Sequence, residues 1–450
     1  MRIFKPITKV LVFIALIMVM NEVCNFAFEP LEGASDVMWS DYMKEESLDM
    51  IYTGSSFSLR AFNPYVIDEI LGTDSFNMGT PSQAINQTYV AIKTAIEEHD
   101  IDTVVLAINF SSLESDWPVA AKVAFYRAKA QNESFIDRVK DTLWFMLDED
   151  NRGECTSINF LFPWIYNHVG LDRYNIMKNI KAKVTGVAES NISENDPESV
   201  YVGKGFGYYV GQVDYNSVGN DNSFTSYTNV FSTEAFEVIR DIISVCKENE
   251  VELIAVNVPR PVFDVLSYGE EYAVKHDRLS QEFTENGVEY YDFNFVKPEI
   301  MEIKENYFVD MEHLNEEGAN QFSAAFAKFL QIRDSGEDMN QYFYEPEEYL
   351  DTIDYITNTY FAATSQEHGV FIQANAYHGN GVEVEYEFSL WDAATDTYTV
   401  LREYDTDSEF LYKTEQEGSY HFCVKAREVG SDVDYDHYYK EEVEYRRSIE

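Results

Sequence analysis

Gly54-Ser55-Ser56 closes an apolar run, and Asp310-Met311-Glu312-His313-Leu314 stands just ahead of an amphipathic stretch. Together the two segments supply a nucleophile, a base and a group to orient the base. A serine hydroxyl is a weak nucleophile at its own pKa, so acyl transfer needs an imidazole to take its proton and a carboxylate to hold that imidazole in one tautomer. An Asp three residues before a His lets the carboxylate fold back to one ring nitrogen while the other faces the nucleophile. Ser56 is the expected nucleophile, with Ser55 and Ser58 as alternatives if Ser56 points into the core.

These residues need a scaffold that presents them at one edge. Residues 48–53 and 75–78 read as short strands, and 103–108 as a continuous apolar strand buried on both faces. Pro64 opens a helix that Gly72 stops, and Ala84, Tyr89, Ile92, Ala95 and Ile96 have helical spacing. Later, 235–249 reads as helix, 251–258 and 288–293 as strands, and 316–332 as a closing helix that Asn315 would cap. Strand alternating with helix predicts a parallel sheet, here a flavodoxin-like α/β domain of five strands whose ligands sit at the strands' carboxyl ends. Every residue named above follows a strand or precedes that last helix.

The run from Ser47 to Ser56, then Phe62-Asn63-Pro64, then Phe76-Asn77-Met78-Gly79, then Leu106-Ala107-Ile108-Asn109, and finally Asp310 with His313, resembles the ordered blocks of the SGNH/GDSL hydrolases. The resemblance covers roughly residues 49–330. It implies that Ser56 is the nucleophile, that Asp310 and His313 complete the triad, and that Ser56, Gly79 and Asn109 form the oxyanion hole. Two blocks depart from the pattern: Ser55 stands where the family has Asp, and Ala107 and Phe110 stand where many members carry Gly and Asp. The Gly-Ser-Ser form is similar to the membrane-anchored branch that includes D-alanyl transfer proteins and polysaccharide O-acetyltransferase relatives. That similarity implies an acyl-enzyme acting on O-acyl groups of cell-envelope or exopolysaccharide sugars, with no metal or dissociable cofactor. Each residue also has an ordinary structural alternative: a strand-to-helix turn at Gly54 and Ser56, positive φ at Gly79, a loop-capping amide at Asn109, and a histidine satisfied ahead of a helix at His313. A non-catalytic envelope scaffold or carbohydrate-binding protein is therefore the alternative function.

The composition fits a large exported or anchored protein. With 450 residues, 45% of them hydrophobic and 15% aromatic, the chain can bury more than one core. Its net charge of -47 disfavours nucleic acid and anionic surfaces as partners, and suits a neutral or amino-sugar acceptor. Arg2, Lys5 and Lys9 precede the apolar run from Val10 to Met20, which is the pattern of a signal anchor over residues 1–30 with its N-terminus cytoplasmic and the bulk of the chain outside. A cleaved signal, giving a secreted protein, is the other reading. Cys24, Cys155, Cys246 and Cys423 are too few and too scattered for a disulfide framework, and neither Cys nor His shows metal-ligand spacing.

Four segments are expected: the anchor (1–30), the SGNH-like domain (31–335), a linker (336–365) and a C-terminal domain (366–450). Residues 115–233 read as an insertion, helical over 120–147, aromatic-rich over 158–169, and glycine-containing over 190–222. Beside an active site such an insertion forms a lid or acceptor groove, and Phe206, Tyr208 and Tyr209 are its candidate sugar-stacking rings. From Gly369 onward the periodicity is two, with turn signals at Gly379-Asn380-Gly381, Asp392, Asp405 and Gly418, which predicts an Ig-like β-sandwich. Its spaced Tyr and Trp residues loosely resemble the three-Tyr domain of bacterial envelope proteins. Adhesion and plain spacing are both open roles for it.

Overall fold

The computed structural model describes residues 4–28, 33–114, 125–130, 133–147, 162, 164–165, 173–185, 191–193, 196–215, 231–392 and 394–447. The chain forms two compact units, one of residues 1–210, 231–256 and 322–327, the other of 211–230, 257–321 and 328–450. Strands β1 (Met50–Thr53), β2 (Ser75–Asn77), β3 (Thr103–Ile108), β7 (Glu252–Asn257) and β8 (Glu289–Asp292) make a five-stranded parallel sheet in the order β2-β1-β3-β7-β8. This is the doubly wound order expected from the alternation of elements. Residues of β1 and β3 are buried throughout, as a strand covered by helices on both faces requires.

In the first unit, α1 (Phe4–Phe28) is the long apolar N-terminal helix and α2 spans Ala34–Tyr42. Helix α3 (Ser56–Ala61) follows β1 directly, and α4 (Pro64–Leu71) begins after Asn63, whose Oδ1 accepts from Tyr65 N at 3.1 Å. Gly72 ends α4 at φ 76°, a left-handed cap. Asn63 N donates to Ser323 Oγ at 2.8 Å and Ser323 Oγ donates to Ala61 O at 2.9 Å, so the closing helix pins the α3–α4 corner. The unit also holds helices α5 (Ile85–Glu98), α6 (Ser111–Glu114), α7 (Phe135–Leu147), α8 (Arg173–Thr185) and α9 (Thr233–Glu248), and residues 125–130 are helical as well.

The glycine-containing part of the insertion is built of strands. It forms an antiparallel sheet of β4 (Asn191–Ser193), β5 (Asp196–Gly203) and β6 (Phe206–Tyr209). Gly205 sits where a Cβ would lie 1.7 Å from Asn77 O, so the β5–β6 turn approaches the end of β2 more closely than any side chain permits. Of the expected aromatic-rich stretch, residues 158–161, 163 and 166–169 lie outside the described residues, as does Cys155.

The second unit holds α10 (Val262–Ser267), α11 (Glu270–Glu285) and most of α12 (Glu316–Asp334), then α13 (Pro346–Thr352) and a seven-stranded sandwich. One sandwich sheet is β9 (Ile356–Gln366), β10 (Gly369–His378) and β13 (Glu409–Lys413); the other is β11 (Val384–Asp392), β12 (Thr397–Asp405), β14 (Gly418–Glu428) and β15 (His437–Tyr445). Ile356, Val370 and Ile372 of the first sheet share a buried core with Phe388, Phe422 and Val424 of the second. The first strand of the sandwich, β9, begins at Ile356, ahead of the expected boundary at 366. The segment read as a linker packs through its aromatic residues. Phe343 packs on Tyr291, Phe293 and Phe329, and Tyr349 packs edge-on to Phe295 at 5.2 Å. Cys246 and Cys423 are buried free thiols.

Candidate active site

The elbow between β1 and α3 sets three serines in different environments. Gly54 has φ 148°, and a Cβ there would meet Ala107 O at 2.6 Å, so the turn that throws Ser56 off the end of β1 requires glycine. Ser55 caps α3 with extended backbone and is 3% exposed, while Ser58 is fully buried and donates from Oγ to Asn77 Oδ1 at 3.0 Å. Ser56, the first residue of α3, is the one of the three that is partly exposed. Burial withdraws Ser55 and Ser58 as alternatives.

Asn77 was not singled out by the sequence, yet it organises this side of the site. Its Nδ2 donates to Ser58 O at 2.7 Å and Phe62 O at 2.9 Å, and its Oδ1 accepts from Ser58 Oγ and from Gly79 N at 2.9 Å. One buried amide thereby braces both ends of α3. Gly79 is needed for close approach rather than for positive φ, because a Cβ would lie 2.7 Å from Leu59 N and from Ser58 Cβ. Its N–H donates to Asn77 Oδ1, so an oxyanion role at Gly79 would require that bond to be given up.

Asn109 follows β3 and is 5% exposed. Its Oδ1 accepts from Ser111 N at 3.3 Å and its carbonyl accepts from Ser112 N at 3.0 Å, which caps the short helix α6. The amide oxygen is thus turned to the backbone.

The insertion clamps the serine helix. Arg60 of α3 is 2% exposed, donates from Nη2 to Ser199 Oγ at 3.0 Å, and lays its guanidinium 3.6 Å from the centre of the Tyr209 ring. Phe206 is 1% exposed. Of the three candidate sugar-stacking rings, Phe206 is core and Tyr209 is stacked on Arg60, while Tyr208 is half-buried.

In the second unit, Asp310 and His313 are brought together by one turn. Asp310 Oδ1 accepts from Glu312 N at 2.8 Å and His313 N at 2.7 Å, and His313 Nδ1 lies 2.9 Å from Oδ2. Val309 N donating to His313 O at 3.0 Å closes the loop, and the Phe308–Leu314 bridge anchors it. Asn315 then caps α12, accepting from Gly318 N at 3.0 Å and donating to Asn306 O at 2.8 Å. Burial pushes the Asp310 carboxyl upward, but the bond to His313, the imidazolium charge and the two backbone N–H groups outweigh it and leave the group below its ordinary value. A carboxylate held at Nδ1 fixes the tautomer in which Nε2 carries the lone pair, which is the base form.

Sequence reasoning also missed a buried ion pair near this turn. Arg260, after β7, bonds Asp264 of α10 at 2.5 Å, and both are buried. Burial, opposed by Arg260 and reinforced by the charges of Glu312 and Asp310, pushes the Asp264 carboxyl up to about 6. An Arg and an Asp four apart on a loop-helix junction carry no signal that distinguishes them from a surface pair. A second Asp-His pair, Asp292 with His276 Nδ1 at 3.3 Å, is of another kind: Asp292 is also bonded by Asn257, Tyr272 and Asn294, a saturated structural hub.

No protein-family model and no curated protein matches the sequence. Three solved structures are similar in part. A GDSL-like lipase from Bacteroides thetaiotaomicron is 8% identical, with 67% of this chain and 98% of that one covered at a TM-score of 0.32. A proposed platelet activating factor from Streptococcus pneumonia is 11% identical over 66% and 91% at 0.31. A proposed acylhydrolase from Bacteroides fragilis is 9% identical over 65% and 89% at 0.29. At such values the functional assignment rests on the chain's own residues.

Proposed function

We propose that the chain is an SGNH-type serine esterase or acyl transferase, held at the membrane by α1 and working outside the cytoplasm on O-acyl groups of envelope or exopolysaccharide sugars. The observation that carries this reading is the Asp310–His313 turn, in which a carboxylate fixed by two backbone N–H groups presents a histidine as a base. In the proposed reaction Ser56 Oγ bonds to the acyl carbon while His313 Nε2 takes its proton. The C–O bond to the leaving hydroxyl then breaks as His313 returns that proton. Water or a sugar hydroxyl resolves the acyl-enzyme by the same steps in reverse, giving hydrolysis or transfer. The Ser56 N–H and the Asn109 amide receive the oxyanion. The 21-residue apolar stretch Thr8–Phe28 is long enough to span a bilayer, and this supports the anchor.

The engagement of the Gly79 N–H with Asn77 favours one competing reading, a scaffold with an incomplete oxyanion hole. A fluorophosphonate probe with intact-mass and peptide mapping separates the two. Labelling at Ser56 is the expected result, with loss of label in Ser56→Ala and His313→Ala. A folded protein that stays unlabelled while a control serine hydrolase reacts would overturn the catalytic reading.

A further inference from the structure

Against 80 acidic and 33 basic residues in the whole chain, helix α8 carries Arg173, Lys178, Lys181 and Lys183 and no acid. This helix lies along the C-terminal end of α1. Asn179 Nδ2 donates to Phe28 O at 3.2 Å, and Lys183 Nζ donates to Asn25 O at 3.2 Å and Phe26 O at 3.3 Å. Helix α7 reaches the same place through the buried Arg138, whose Nη1 is 3.4 Å from Glu22 Oε1. Trp164 Nε1 donates to Asn21 Oδ1 at 3.0 Å. The polar residues that interrupt the apolar run are thus the receptors for the insertion, and Asn21 and Asn25 are buried while the run itself is exposed.

Both helices turn the same pattern outward. On α7 it is Ile136, Lys140 and Leu143; on α8 it is Met177, Lys181 and Val184, all six exposed and spaced i, i+4, i+7. A lone exposed apolar residue is ordinary. Two helices that repeat apolar-Lys-apolar beside a bilayer-length helix have the pattern of an interfacial surface, where apolar groups enter the acyl region and cations stay at the level of phosphate. On α7 Lys140 is paired with Asp137 at 2.7 Å and the helix is charge-balanced, so the net positive charge of this surface comes from α8. Between α1 and the start of α7 lies a groove of about 620 Å³, lined by the apolar Met18, Val19, Val23, Phe26 and Phe135, with Glu22, Glu133 and Ser134 at its polar side. It is continuous with the exposed face of α1.

We propose that α7 and α8 form a collar that seats on an anionic phospholipid surface, with the groove taking an acyl chain of one such lipid. The proposal rests on the reading of α1 as a membrane anchor. Its physical logic is charge: a chain of net charge -47 is repelled by an anionic bilayer, and the cations of α8 offset that repulsion where the chain must approach it. The collar would hold the α/β unit at a set height above the lipid.

The test uses the full chain in nanodiscs, with Cys24 and Cys155 replaced by Ser and a fluorophore placed on single cysteines at Ile136, Leu143, Met177 and Val184. Val12 serves as the site inside the span and Lys93 on α5 as the water-facing site. Burial pushes the thiols of Cys246 and Cys423 up to about 12 and about 11, so they are slow to label. In phosphatidylglycerol discs the four collar sites should be quenched by nitroxide lipid as Val12 is, and shielded from iodide, while Lys93 shows the reverse. The Lys140→Glu/Lys181→Glu pair should cut lipid quenching at the collar by roughly half or more and leave Val12 unchanged. Iodide quenching at all four collar sites, with Val12 still in lipid, would overturn the collar and leave the anchor standing. Iodide quenching at Val12 as well would overturn the anchor reading itself. Equal lipid quenching in pure phosphatidylcholine would overturn the anionic-lipid assignment.

Discussion

Asp310 Oδ2 lies 2.9 Å from His313 Nδ1, while Oδ1 of the same carboxylate takes the N–H groups of Glu312 and His313. One side chain therefore builds the turn and orients the base, and the two roles separate on mutation. Asp310→Asn should keep the fold, since an amide oxygen still accepts from the backbone. It should lower kcat for p-nitrophenyl acetate by a factor on the order of 10^4, because an amide no longer holds the ring in the base tautomer. Stability also becomes pH-dependent. The folded carboxyl titrates below its ordinary value, so its contribution is present above about pH 3.8 and is lost as pH falls through the lower folded value. Urea midpoints of the wild type should fall in that acid range, and those of Asp310→Asn should fall less.

Ser58 and Asn77 brace the serine helix without offering a nucleophile. Ser58→Ala should cost about 1 kcal/mol in urea unfolding and leave ester turnover near wild type. Asn77→Ala strands Ser58 Oγ, Gly79 N and two carbonyls, and should cost about 3 kcal/mol or more. If Ser58→Ala abolishes turnover in a folded protein, the assignment of Ser56 fails.

Asn109 and Gly79 separate donor from scaffold. Asn109→Ala should raise the barrier to ester hydrolysis by about 2.7 to 4 kcal/mol, the size of one oxyanion donor, with little change in KM. Gly79→Ala drives a methyl into Leu59 N, so its effect should appear first as lost thermal stability. A kinetically silent Asn109→Ala would count against the oxyanion assignment.

The sandwich meets α10 through Phe263, whose ring centre is 6.5 Å from that of Tyr377. Because no motif residue lies beyond His313, a chain ending at Ile353 should still hydrolyse p-nitrophenyl acetate, though less stably once Phe263 loses its cover. A truncated protein that stays folded and loses that activity would show that the sandwich helps to shape the site through α10.

The sequence by itself determined the five strands and their crossover helices, because buried parallel strands are continuous apolar runs and the helices show a 3.6-residue period. It also determined the Asp310–His313 pairing, since three residues of one turn decide that geometry locally. Tertiary structure alone decided which of Ser55, Ser56 and Ser58 is accessible, because burial is set by elements distant in sequence, Asn77 among them. It alone showed the Gly79 amide committed to Asn77, Arg60 stacked on Tyr209, and Arg260 buried with Asp264. The insertion misled for the same reason. Glycines among aromatics read as a lid or acceptor groove, but Gly205 is small so that a strand turn can touch Asn77, and Phe206 beside it is core. Short-range spacing fixes local geometry, whereas long-range packing decides which polar groups are already engaged.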